Sequence, residues 1–274
     1  MSFKSITDWC YKPACMKTQG SSIRKIGFER PYTNDQVLSW IAEPSAAIIF
    51  YLVVPTFTKG TLEVVLLSTF TVLLVLHVIA WLICSLLDPA VDKGWAWPCM
   101  REAQKTVRYC AVCHKRVPGL DHHCTWLNTC IGKRQYPAFF ALVLIGTVMY
   151  WMQIGTYVFL LTSGLSREVE ERAVNLLGSL TTYKVLLSIA SVFAGSLAIG
   201  FSILFSFHMF LQTQGMGTFG WLIEGRSKKF EKRTEAKAKP APDVEEVTSE
   251  PGNCNQDPTT GEKVSTPVTE VSNV

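Results

Sequence analysis

Residues able to do chemistry crowd into the middle of the chain. Cys110-Ala111-Val112-Cys113 is followed, nine positions after Cys113, by His122-His123-Cys124, with Asp121 just before; five residues then separate Cys124 from Cys130. A C-x-x-C turn aims two thiolates at one tetrahedral ion, about 2.3 Å from each sulfur. That ion needs two further ligands, and His114, His122, His123, Cys124 and Cys130 are the local supply. Nine cysteines in a small secreted chain would read as disulfides, but this chain is neither small nor secretory in pattern. Metal ligation or a reactive thiol is the alternative explanation.

The elements around this cluster are apolar. Of all residues 48% are hydrophobic, and they gather in long runs, as a bilayer about 30 Å thick demands of a crossing helix. Four runs read as spans: about 41–57, 62–87, 138–162 and 185–211. The first is the weakest, because Glu43, Pro44 and Pro55 crowd its ends. Gly146, Gly155, Gly195 and Gly200 predict that spans three and four approach each other closely. The first 39 residues hold six Lys or Arg, with no short apolar core and cleavage site, so no secretory signal is expected. The segment 88–137 holds eight basic residues and the carboxy-terminal segment another eight, whereas the other two loops carry Lys59 in one and Arg167, Arg172 and Lys184 in the other. Positive-inside bias then places both termini and the cysteine-bearing loop in the cytosol, where thiols stay reduced. Domain organisation follows: a cytosolic segment 1–40, spans one and two in 41–87, the cysteine-rich loop 88–137, spans three and four in 138–211, and a cytosolic segment 212–274. Beyond about Arg233 the tail is rich in Lys, Glu, Pro, Thr and Ser and is expected to be disordered. Lys228, Lys229, Lys232 and Arg233 are placed to touch anionic lipid or simply to be solvated. A formal charge of +4 without a basic, aromatic-interleaved stripe argues against nucleic acid as a partner.

The run Asp121-His122-His123-Cys124-Thr125-Trp126-Leu127-Asn128-Thr129-Cys130-Ile131-Gly132 resembles the core of the DHHC family of protein S-acyltransferases, or palmitoyltransferases. Asp88-Pro89-Ala90 is similar to that family's Asp-Pro-Gly after span two. The resemblance extends from about Ile41 to Trp221. It implies an α-helical integral membrane protein, with four transmembrane helices and a small cytosolic zinc-binding cysteine-rich domain between helices 2 and 3. It also implies a location in the endomembrane system: ER, Golgi or plasma membrane.

Carried over residue by residue, one of the family's two zinc sites falls on Cys110, Cys113, His123 and Cys130. The other falls on Ala96, Cys99, Tyr109 and Arg116, which retains one possible ligand, so one zinc ion per chain is expected. Trp95, Trp97 and basic side chains are expected to fill the lost site's place. Cys124 is then the nucleophile, His122 its base and Asp121 the group that orients the imidazole. The resemblance implies a palmitoyl-CoA donor, an acyl-Cys124 intermediate and cysteine-containing protein acceptors at the membrane surface. Cations near enough for CoA phosphates are Arg108, Lys115, Arg116, Lys133 and Arg134. The chain departs from the family at Thr125, where Pro is usual, at Gln135, where Asn is usual, and at Gly217-Thr218-Phe219-Gly220, where a Thr-Thr-x-Glu motif is usual. These losses favour the alternative of a catalytically weak or silent zinc-containing membrane adaptor. A small transporter is disfavoured, since no span shows a paired ionisable set or an inverted repeat. His77 and His208 read as packing residues, Cys84 as a small apolar filler, and Cys10 and Cys15 as surface thiols.

Overall fold

The computed structural model describes residues 23–94, 96–162 and 167–238. Among them four helices are long and apolar enough to cross a membrane: α1 (Asn34–Phe57), α2 (Gly60–Leu86), α3 (Tyr136–Thr162) and α5 (Leu180–Thr213). The shortest has 24 residues, or about 36 Å at 1.5 Å per residue, which is enough for the hydrocarbon core. This is the architecture of a multi-pass membrane protein.

The first span begins earlier than its hydropathy indicates. Thr33 caps α1 by accepting from the Gln36 N–H at 3.2 Å, and Glu43, Pro44 and Pro55 all lie within the helix. Glu43 is tolerated there because it meets His77 of α2 at 3.1 Å. The bundle therefore does contain a paired ionisable set, contrary to expectation. It spans two helices, so neither run reveals it alone, and it gives His77 a definite partner. Deeper packing is aromatic: Phe50 stacks on Phe70 at 4.0 Å, with Tyr157 beside them. At Gly146 a Cβ would come within 2.5 Å of the Phe201 ring, so this glycine sets the approach of α3 to α5.

Two features of the connections had no signal in the hydropathy pattern. Between α3 and α5 lies an amphipathic helix, α4 (Arg167–Leu177), with Val169 and Ala173 buried. Arg172 of α4 donates to the Thr56 carbonyl at the end of α1 (2.6 Å). Between α2 and α3 the chain forms two antiparallel hairpins, β1 (Val107–Cys110) with β2 (Lys115–Pro118), and β3 (His122–Cys124) with β4 (Thr129–Ile131). The last helix, α6 (Thr218–Ala238), runs five residues past Arg233. Disorder from that point was the expectation, but Glu, Lys and Ala are strong helix formers and carry the helix on. Residues 239–274, Trp95, Cys10 and Cys15 lie outside the described residues.

Candidate active site and metal centre

A strand turns successive side chains to opposite faces, and β3 is the strand His122-His123-Cys124. His123 therefore points one way, and His122 and Cys124 the other. The register pairs His123 with Cys130 and Cys124 with Thr129, which puts two candidate ligands side by side. The tip of the β1–β2 hairpin brings the other two, with the Cys113 N–H donating to Cys110 Sγ at 3.5 Å as a metal knuckle does. His123 Nδ1 lies 3.9, 3.4 and 3.8 Å from the sulfurs of Cys110, Cys113 and Cys130. Cys130 Sγ is 3.5 Å from Cys113 Sγ. These separations are the edges of a small tetrahedron whose centre suits an ion about 2.3 Å from sulfur.

Charge argues the same way. Contact with Cys113 and Cys130 pulls the Cys110 thiol well below its usual range, while the same contacts push Cys113 and Cys130 up. Three sulfurs this close cannot all ionise by themselves; a shared divalent cation is what permits three thiolates. The donor set thus fits a metal ion.

At the positions of the second family site nothing comparable gathers among the described residues. Tyr109 and Arg116 face each other across β1–β2, and Cys99 is exposed. The segment is held by polar and aromatic contacts instead. Gln104 Oε1 accepts from the Trp97 N–H at 2.6 Å, and Trp97 packs on Tyr136 and Phe140 of α3 at 5.9 and 5.4 Å.

On the opposite face of β3, His122 Nδ1 donates to Asp121 Oδ2 at 2.8 Å. Cys124 is near enough to act on the same imidazole. Asp121 is 4% exposed and receives two more bonds from the start of α6, from Thr218 N–H to Oδ1 and from Thr218 Oγ1 to Oδ2, both 2.8 Å. Burial opposes its charge, but the bonds from His122 and Thr218 and the nearby imidazoles hold its pKa below the ordinary carboxylate value. Burial likewise opposes a charged His122, yet the Asp121 carboxylate and the Cys124 sulfur push its pKa up to about 10. Cys124 is half-buried and packs against the apolar cluster that includes Ala80, Cys84 and Phe139.

Several residues around this site escaped sequence reasoning. His208 of α5, read as packing, is 2% exposed and stands beside the relay: its ring lies 5.8 Å from that of His122 and 5.0 Å from Phe139. The Tyr136 hydroxyl is 3.3 Å from His208 Nδ1. Arg108 donates to the Leu120 carbonyl at 3.2 Å and lies over the Phe219 ring at 4.4 Å. The sequence signal for this corner was the Gly217-Thr218-Phe219-Gly220 stretch, whose remaining threonine is the one that binds Asp121. Gly217 is needed there too, since a Cβ would lie 2.5 Å from Asp121 Oδ1. Gln135, fully buried, donates to the Leu87 carbonyl at 2.8 Å and ties α3 to the end of α2. Among the candidate phosphate cations, Lys115 is taken: it is 6% exposed and donates to Asp88 Oδ1 at 2.8 Å and to the Lys25 carbonyl at 3.1 Å. Arg116 remains exposed.

Comparison with known proteins places this arrangement. Residues 91–224 match the DHHC palmitoyltransferase family. The chain is 33% identical over 125 residues to palmitoyltransferase erf2 of Emericella nidulans, covering 45% of this chain and 19% of that protein. It is 30% identical over 118 residues to palmitoyltransferase pfa3 of the same organism, covering 43% and 22%. To probable protein S-acyltransferase 15 of Arabidopsis thaliana it is 35% identical, covering 24% of this chain and 34% of that protein. The chain thus spans between 19% and 34% of the length of these curated relatives. Residues 91–224 thus form a DHHC palmitoyltransferase family domain.

Proposed function

We propose that this protein transfers a long-chain acyl group, palmitoyl, from acyl-CoA to cysteine thiols of membrane-associated proteins through an acyl-Cys124 intermediate. The observation that carries the reading is the relay Asp121–His122–Cys124, with the Asp121–His122 bond at 2.8 Å, on the face of β3 opposite the metal ligands. His122 takes the Cys124 proton, and the thiolate attacks the thioester carbonyl. The bond to CoA sulfur breaks, and the departing CoA thiolate recovers the proton from His122. In the second half an acceptor cysteine gives its proton to His122 and attacks acyl-Cys124, and the proton returns to Cys124 as its thiolate leaves. Two thioesters of similar energy are exchanged, so no ATP is consumed and ping-pong kinetics follow. Each buried CH₂ contributes about 0.8 kcal/mol, which is why a long-chain donor suits a site set against an apolar cluster.

Cys110, Cys113, His123 and Cys130 would hold one zinc ion, whose contribution is to fix the hairpin that carries Cys124. The cysteine-rich loop and both termini face the cytosol, in an endomembrane or the plasma membrane, as the basic residues indicate. The lack of a ligand cluster around Cys99, Tyr109 and Arg116, where the family's other zinc would sit, among the described residues favours a second reading, a silent zinc-bearing adaptor. The intact relay weighs against it, because a scaffold has no use for a positioned thiol, imidazole and carboxylate.

Incubation of purified protein with labelled palmitoyl-CoA decides between them. Hydroxylamine-sensitive label is expected on wild type and not on Cys124→Ser. No label on wild type refutes the enzyme; label surviving the substitution moves the nucleophile elsewhere.

A further inference from the structure

The segment 23–35, which precedes and opens α1, lies across the loop that carries the nucleophile. Arg24 is 9% exposed. Its guanidinium donates to Asn128 Oδ1, to the Asn128 carbonyl at 3.4 Å and to the Pro31 carbonyl at 3.0 Å. Its backbone N–H donates to the Cys113 carbonyl at 3.2 Å. Asn128, wholly buried, closes the four-residue turn between Cys124 and Thr129 in a left-handed conformation, φ +53°. It answers the strap by donating to the Pro31 carbonyl at 3.0 Å. At the other end of the turn, Thr125 donates to Asp35 Oδ2 at 2.6 Å, and its carbonyl accepts from the Thr33 hydroxyl. Between these fastenings Gly27 lies flat on the turn: a Cβ there would stand 2.3 Å from the Leu127 carbonyl oxygen. The Gly27 N–H in turn donates to the Ser85 carbonyl of α2 at 2.8 Å.

One short strap therefore joins the metal hairpin, the turn after Cys124 and the membrane bundle. Arg24 is its centre. Every acceptor its guanidinium meets here is uncharged, which makes burying this cation costly unless its planar fork is fully used. A lysine, as a point charge, cannot reach the Asn128 and Pro31 oxygens together. The chain also has Thr125 rather than proline after Cys124, so this turn draws its rigidity from outside itself.

We infer that the strap is part of the catalytic site and that Arg24 is a positioning residue, which holds the 125–128 turn and through it the Cys124 thiol in register with His122. The inference rests on the acyltransferase reading for its rate, and not for its structure.

The test uses the full chain in lipid nanodiscs, comparing wild type, Arg24→Ala and Arg24→Lys. Three quantities are read: amide hydrogen exchange of the peptide spanning 121–131, zinc content, and the rate of Cys124 labelling by palmitoyl-CoA. Arg24→Ala is expected to speed exchange across the turn and to slow labelling at least tenfold while zinc stays at the wild-type ratio, with Arg24→Lys intermediate in both. Wild-type exchange and labelling in Arg24→Ala overturn the inference. Loss of zinc in both variants also overturns it, since Arg24 would then serve the metal fold rather than the thiol. If wild type takes no label, the acyltransferase reading fails, while the exchange comparison still decides whether Arg24 holds the turn.

Discussion

At the scale of single residues, two adjacent histidines meet different partners because a strand sends neighbours to opposite faces. His123 faces three sulfurs, and His122 faces Asp121 and Cys124. Removing either one separates the chemistries. His122→Ala is expected to keep one zinc per chain and to slow Cys124 labelling by roughly two to four orders of magnitude, the usual contribution of a positioned base. His123→Ala is expected to lose the zinc and, with it, the hairpin. Metal analysis of the purified variants decides this, and equal zinc content in the two would refute the division of ligands. The pairing Cys110, Cys113, His123 and Cys130 was legible through the family's motif, since spacing alone left three histidines competing for the ion. His208 was not legible. It reaches the relay from another helix, and nothing in its own neighbourhood of sequence distinguishes it from a packing residue.

Between elements, the start of α6 completes the acidic end of the relay. Thr218 gives Asp121 both a backbone and a hydroxyl donor, so the carboxylate stays ionised and turned toward His122. A hydrogen bond to a charged group contributes about 1.5–3 kcal/mol, and each 1.36 kcal/mol is about a factor of ten. Thr218→Val should therefore slow Cys124 labelling about tenfold or more at unchanged zinc content, and Thr218→Ser should restore most of the rate. A Thr218→Val enzyme at full rate would show that the backbone donor alone is enough. The strands and the strap are the least legible elements, and for a physical reason. Strands of three or four residues carry too little alternation to register as a pattern. The strap holds its shape through contacts about a hundred residues away, such as Arg24 with Asn128, and no local periodicity records those.

For the whole molecule, the membrane bundle was plain in the sequence because long apolar runs admit few other readings. Its join to the cytosolic loop was not. Asp88, just past α2, receives Lys115 of β2 at 2.8 Å and so fastens the β1–β2 hairpin to the bundle. Burial opposes the Asp88 charge, but Lys115 and the Ala90 N–H outweigh it and lower the pKa below its usual 3.8. A depressed carboxylate contributes stability that is complete above the unfolded value and fades as pH falls through the folded one. The difference in melting temperature between wild type and Asp88→Asn should accordingly be constant from about pH 5 to 8 and shrink below about pH 4, where the carboxylate begins to protonate. A difference that grows on acidification would contradict the pairing. The α4 helix adds a last consequence. Through Arg172 it grips the far end of α1 at the Thr56 carbonyl, while Thr33 and Asp35 grip the turn beside Cys124 at the near end. That span is a tie rod fastened at both of its ends. A thinner membrane tilts such a rod and a thicker one draws it upright or thins around it, and a change at one end moves the other, so the depth of Cys124 is predicted to follow the thickness of the surrounding membrane.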